Sequence, residues 1–454
     1  MRDTFASFRV FNFRLAFVGG LLNSIGGWMA RIAIDWLVFE LTGSVAYVGV
    51  TVALQFAPML LLAPWAGVIS DRYSRRRTLM ITTGLGTVAI ALLAVLVLSG
   101  HVEVWHVMCI AGFTGVTAAI DAPSRSAFVS EVVGTARLRN AISLNAMTFH
   151  FGGLVGPALS GILIAVAGSG WSIAVNAVTS AVALGMLACM RRRELILAPR
   201  QVRARGQFRE ALAYALSKPT IVWPLVLLAF VTVFGMQLPV LLTATASPDG
   251  LGTGSAGYGL YTSLAAVGAF CGALFTAGRA LLRLRSLVVA VVIFGTLTAL
   301  LGVAALAALP IFFLAGIVGV GATRVTFAVS ADAMVQLSAR PAIRGRIVSL
   351  WVMVFSGGQA LGGLVMGWIA AHFGMTVAFI VAGGMPALAA LVVAAVLARR
   401  GRLRLRVDLR SPRRLVRIVR RCESPPAPPG RARPRAPRPD MLGKATSRAR
   451  RGAP

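Results

Sequence analysis

Seven ionisable side chains stand out within, or at the ends of, long apolar runs: Arg31, Asp35, Asp121, Arg125, His150, Arg324 and Asp332. Charge is costly to keep in hydrocarbon, so such residues mark ion or substrate pathways by default. Arg31 and Asp35 are four residues apart, on one face of a helix, and can pair. That spacing suits a carboxylate that takes up a proton in one state and releases it in another, with Arg31 tuning it. It suits equally a static ion pair that fixes helix packing. Arg324 has Asp332 two turns away on the same side, so it either contacts an anionic substrate or neutralises that acid. His150 titrates near neutral pH when free, yet a lone helical histidine is more often simply hydrogen-bonded. Asp121 and Arg125 are also four apart. Pro123 is expected to break the helix between them, which favours gating or loop structure over substrate contact.

Another cluster lies in residues 67–77, where Gly67, Asp71, Arg72, Arg75, Arg76 and Arg77 form a short, stiff, basic turn. Gly67 permits close backbone approach, Asp71 can cap a helix N-terminus, and the arginines are expected to hold the turn at lipid headgroups. Small residues at Gly152, Gly156 and Gly161 let helices pack closely, and Pro157 offers a kink.

The elements that position these groups are membrane spans. The chain has 454 residues, 57% of them hydrophobic and 13% charged, with mean hydropathy +0.81. A water-exposed surface cannot be built from that composition. Runs of about 20 apolar residues fall near 13–39, 46–70, 78–98, 104–122, 140–167 and 171–190. A second set falls near 220–243, 256–278, 286–308, 311–332, 347–371 and 376–398.

The net charge of +31 could suggest a nucleic-acid partner, but its distribution excludes one. Arg31 and Arg324 lie deep in spans. The other Lys and Arg gather at the termini and the even-numbered connections, and none lies in an odd-numbered one. The positive-inside rule then puts both termini and residues 67–77 in the cytoplasm. The first apolar run is long and lacks a small-residue cleavage site, so an uncleaved signal anchor is expected. The four cysteines show no metal or disulfide spacing. With no Walker loop, no metal cluster and no nucleophile motif, neither a cofactor nor enzymatic activity is expected.

Residues 1–190 and 219–398 look like related six-helix halves, joined by a cytoplasmic linker at 191–218. A shift of 206 maps Ser143-Leu144, Gly152, Gly156, Gly161 and Gly168 onto Ser349-Leu350, Gly358, Gly362, Gly367 and Gly374. Duplicated six-helix units are a known transporter plan, with the site at the repeat interface. In the linker, Phe208, Leu212 and Leu216 recur at helical spacing and suggest an interfacial helix. Residues 399–454 hold 19 Lys and Arg against 3 acids. Their Pro-rich run cannot bury a core, so a disordered cytoplasmic tail is expected. It either anchors to anionic lipid or is a solvated extension without a selected role.

The run GVISDRYSRRR resembles the signature loop between the second and third helices of the major facilitator superfamily. IDWLVFELTGS at 34–44, DAPSRSAFVSEVVG at 121–134, NAISLNAMTF at 140–149 and RGRIVSL at 344–350 are similar to its drug:proton antiporter branch around the enterobactin exporter. GxxxGPxxSG at 152–161 resembles that superfamily's antiporter motif, with Ser160 replacing the usual glycine. The branch often has Asn where His150 stands and Arg where Gly153 stands.

The resemblance implies an all-α fold of twelve transmembrane helices in two pseudo-repeated halves, a monomer in the bacterial cytoplasmic membrane. It implies a latch at 67–77 and proton-coupled export of a drug, siderophore or other secondary metabolite. Two alternatives are an importer of the same fold and a non-transporting anchor whose basic tail recruits lipid or a partner.

Overall fold

Apolar runs in a membrane leave the backbone no partner but itself, so they fold as helices. The computed structural model describes residues 6–196, 207–277, 283–307, 309–340, 343–400, 403–407 and 416–420. Its first six helices are α1 (Phe11–Thr42), α2 (Val45–Leu61), α3 (Ala63–Arg72), α4 (Arg75–Leu98), α5 (Val104–Ala167) and α6 (Ser169–Ala188). They are followed by α7 (Gln207–Ser217), α8 (Pro219–Phe230), α9 (Leu238–Ala246), α10 (Gly254–Ala277), α11 (Leu284–Leu306), α12 (Pro310–Ser338) and α13 (Arg344–Arg400). Among the described residues, 9 helical stretches are long and apolar enough to cross a membrane, and Val45–Leu61 and Phe151–Ala167 are shorter apolar helices.

Local chemistry sets the boundaries. Proline occupies one of the first two positions of α8, α9 and α12, where its missing N–H costs nothing. Gly43, at φ 63°, ends α1 and donates its N–H to the Phe39 carbonyl at 2.8 Å. Two expectations need correcting. The basic turn at 67–77 is mostly helix: α3 runs through Gly67 and Asp71 to Arg72, only Tyr73 and Ser74 interrupt it, and Arg75 begins α4. Past Gly67 the run has no glycine or proline to stop helical propagation. Nor does Pro123 break its helix, which continues to Gly134. Proline forfeits a single backbone bond there, while the Asp121–Arg125 pair spans the same turn.

Glycine does the breaking instead. Gly134 (φ 68°, ψ −179°) kinks α5 and Gly374 (φ 78°, ψ 172°) kinks α13, in a region of backbone space essentially closed to side chains. Gly168 (φ 88°, ψ 169°) separates α5 from α6 in the same conformation as Gly374, its counterpart 206 residues on. The sequence duplication therefore recurs in the backbone. It recurs in packing too. Gly152 and Gly156 meet Ser24, Ile25 and Trp28 of α1, while Gly358 and Gly362 meet Thr232, Val233 and Gln237 around α8 and α9.

The two halves approach closely along two seams. In one, α2 lies on α13: Gly49 faces Gly363 and Gly367, Phe56 meets Phe355, and Leu60 reaches Gly357. In the other, α5 lies on α10: Gly161 faces Gly259, and Ser263 donates to the Ala158 carbonyl at 3.2 Å. Both seams are tightest toward the acidic, arginine-free ends of the helices.

In the linker, α7 buries Ala211 and Ala215 and exposes Leu212 and Leu216. The leucine stripe thus faces outward, as an interfacial helix requires. The helical body forms one compact unit to Ala395, and a second unit starts at Val396. Within that second unit, β1 (Leu403–Val407) and β2 (Val416–Arg420) pair antiparallel, Leu403 opposite Arg420. Alternating arginine and aliphatic residues have the period of a strand. The rest of the tail expected to lack order lies outside the described residues.

Candidate functional site

Asp35 is carried by α1, seven residues before that helix ends, and is 2% exposed. Gln55 of α2 donates to its Oδ1 at 3.0 Å. Arg31 does not close a contact ion pair with it: no Arg31 nitrogen lies within 4.0 Å of a described acid. The guanidinium instead lies over the rings of Trp28 (5.1 Å) and Phe56 (4.8 Å). Such cation–π contacts hold a charge without consuming an acid. Asp35 and Arg31 still feel each other electrostatically. Asp35 is therefore held by a neutral partner.

One residue on, Trp36 stacks on Tyr258 of α10, with centroids 4.7 Å apart and planes at 21°. Tyr258 is fully buried, its hydroxyl donates to the Ile32 carbonyl at 3.4 Å, and Thr243 of α9 meets the same hydroxyl. The Trp36 indole N–H donates to Glu40 at 2.6 Å, and Glu40 also accepts from Ser169 at 3.0 Å. A ring pair joining opposite halves thus sits beside Asp35. Tyr258 was missed in the sequence, where nothing in its surroundings sets it apart.

The motif at 152–161 serves both contacts. Gly152 and Gly156 admit α1, and Gly161 admits α10. Ser160 is fully buried and donates to the Met29 carbonyl at 2.9 Å, so the serine in the usual glycine position ties α5 to α1. The side chains of Asp71 and His150, and the surroundings of Gly67, lie outside what the structure describes.

The remaining signature arginines do not all reach headgroups. Arg75 pairs with Glu131 at 3.0 Å. Arg76, 6% exposed, donates to the Leu187 carbonyl at 3.1 and 2.9 Å and to the Ala188 carbonyl at 2.8 Å. It caps the C-terminus of α6, where orphan carbonyls and the helix dipole favour a cation. Arg72 and Arg77 are exposed. Glu131 was missed, although an acid inside a basic connection was the available signal. Asp121 holds Arg125 at 2.7 and 3.1 Å and accepts from Thr82 of α4 at 3.2 Å. This makes it a structural clasp within the first half. Arg76→Ala is expected to cost about 2–3 kcal/mol by stranding buried carbonyls, read as a lower thermal midpoint of the purified protein; an unchanged midpoint would refute the cap.

In the second half, a π-turn at Val231–Gly235 and the break at Gln237 separate α8 from α9. Gln237 bridges the break, donating to the Thr232 carbonyl at 2.8 Å and to Gln359 of α13 at 3.0 Å. Interrupted helices in transporters often border the substrate path. Arg324 lies mid-helix in α12. Asp332 accepts from Gln336 at 2.9 and 3.0 Å and is not within 4.0 Å of Arg324, so neutralisation of one by the other is not observed. Among the described residues, no group of three or more His, Cys, Asp and Glu is placed to hold a metal.

Residues 2–413 match the family model described as transmembrane secretion effector. Among curated proteins, the enterobactin exporter EntS of Escherichia coli O1:K1 is 25% identical over 371 residues, covering 79% of this chain and 85% of its own. The staphyloferrin A transporter of Staphylococcus aureus is 28% identical over 151 residues, 33% of this chain and 38% of that protein. Among solved structures, a D-xylose–proton symporter superposes with TM-score 0.65 at 17% identity, covering 84% of this chain and 96% of the other. The nucleoside transporter NupG gives 0.61 at 13%, covering 85% and 98%. Those structures share the fold. The chain belongs to the transmembrane secretion effector family of the major facilitator superfamily, as a multi-pass membrane transporter and not an enzyme.

Proposed function

We propose that the protein exports a small molecule from the cytoplasm across the bacterial cytoplasmic membrane in exchange for protons. The observation that carries this reading is Asp35, buried and held by the neutral Gln55 beside the Trp36–Tyr258 ring pair that joins the halves. A carboxyl group there can alternate between charged and neutral as the halves part and close around it. Similarity to exporters of enterobactin and a transporter of staphyloferrin A supports a siderophore or related secondary metabolite as cargo.

Twelve crossings follow if Gly134 and Gly374 each divide a continuous helix into two spans, and if α2 with α3, and α8 with α9, each form one interrupted span. The arginine distribution supports both termini being inside. The segment 67–77 would latch the halves in one state through Gly67 and Asp71, with Arg75 and Arg76 holding its base.

Cargo efflux from whole cells, and uptake into inside-out vesicles, tests the proposal with and without a protonophore. Export that persists unchanged when the proton gradient collapses would refute proton coupling; accumulation in cells would reverse the direction. A chain lacking residues 401–454 is expected to keep at least about half of its transport rate. Loss of all transport on that deletion would assign the tail a necessary role.

A further inference from the structure

We propose that Arg324 is an anion-binding residue of the cargo path, so that the exported molecule carries an acidic group beside an apolar or aromatic body. This deepens the export reading and rests on it.

Three observations lead there. The first is depth. Arg324 is fourteen residues from each end of α12, or about 21 Å at 1.5 Å per residue, which is mid-bilayer for a spanning helix. The second is its face. Phe313, Ile317, Val320, Phe327, Ala331 and Val335 recur at three- and four-residue spacing along one stripe, each 1% exposed or less. Arg324 falls in the middle of that stripe. It lies deep among protein atoms, yet it alone in the stripe keeps appreciable accessible surface. On that stripe it faces the helices packed against α12 and keeps surface that a ligand can reach.

The third is compensation. A guanidinium at this depth needs an acid or several acceptors to offset its lost hydration. No described acid lies within 4.0 Å of Arg324, and none of its nitrogens hydrogen-bonds another described residue. The nearby acid of its own helix, Asp332, has both oxygens engaged by Gln336. Other arginines in this protein show what a satisfied one looks like: Arg125 holds Asp121 with two bonds, and Arg76 caps α6. Arg31 rests on two rings with Asp35 one turn away. Arg324 has none of these arrangements among the described residues. Its fork of donors is built to take a carboxylate, or another planar or tetrahedral oxyanion, from a passing ligand. Proton and cargo would then be read by opposite halves, Asp35 in the first and Arg324 in the second.

The test uses the full chain in lipid nanodiscs and two fluorescent probes of similar size. Carboxyfluorescein is a polyanionic aromatic; rhodamine 6G is a cationic one. Fluorescence anisotropy should show native protein binding carboxyfluorescein at least about tenfold more tightly than rhodamine 6G, and Arg324→Gln should weaken the anion by about tenfold or more. Arg324→Lys, which keeps the charge, should restore part of that loss, and rhodamine 6G binding should not fall in either variant. Native protein that fails to bind the anion, that prefers the cation, or that binds the anion equally well as Arg324→Gln would overturn the assignment. The same dyes loaded into proteoliposomes separate the two readings. Arg324-dependent binding without any transport sinks export and leaves the site, whereas transport of rhodamine 6G alone sinks the site and leaves export.

Discussion

Asp35→Asn is expected to yield a folded, membrane-inserted protein that no longer concentrates cargo against a gradient. The substitution keeps the shape of the side chain and an oxygen for the Gln55 N–H at 3.0 Å, so the thermal midpoint should shift little. It removes the group that can change charge. One proton moving through 100 mV supplies about 2.3 kcal/mol, equivalent to roughly a fiftyfold accumulation ratio. That ratio should fall to about one, while exchange of labelled for unlabelled cargo, which needs no proton movement, should persist. Full gradient-driven transport by the variant would remove Asp35 from the mechanism. Because Arg31 is held by Trp28 and Phe56 rather than by Asp35, loss of the acid should not release Arg31 or unfold α1. In a tight ion pair, removing one partner would strand the other and cost several kcal/mol.

A second large effect is expected from Gly49→Val. A side chain at Gly49 would run into the backbone of Gly363 and Gly367 on α13. Gly49 is inside α2 with ordinary helical geometry, so valine costs that helix nothing relative to glycine. The strain falls on the seam between halves, and the expected result is a stable protein that cannot close its arginine-free end. Transport should drop at least about tenfold. With the four native cysteines replaced, a cysteine at the buried Thr243 should react with a membrane-impermeant thiol reagent added outside, faster in the Gly49→Val background. Equal reactivity in both backgrounds would show that the seam does not govern closure.

The sequence made the helices, the sidedness of charge and the internal duplication legible because each is written in local pattern: apolar run length, arginine position, glycine spacing. Gly168 and Gly374 were matched by sequence shift alone and proved to share one backbone conformation. Contacts between distant helices were not legible. Asp35 and Arg31 have ideal spacing for a pair, but Gln55 on another helix and two aromatic rings outcompete that pairing. Tyr258 gave no signal, because its partner Trp36 is 222 positions away in the chain. The arginines of 67–77 read as surface charge. Yet Arg76 turns inward to cap a helix that begins nearly a hundred residues later, and only the fold brings that terminus near.

At Gly49–Gly363 and Gly161–Gly259 the seams bring backbone against backbone, with Val52, Ala165, Thr262 and Ser263 packed beside the glycines. Variation along the cargo path can therefore proceed without retuning the closure, since the closest approach in each seam is set by glycine backbone and not by Asp35 or Arg324. A lineage built this way can change what it carries while keeping its moving parts, so new cargo specificities should arise by substitution along the path and not by redesign of the joint.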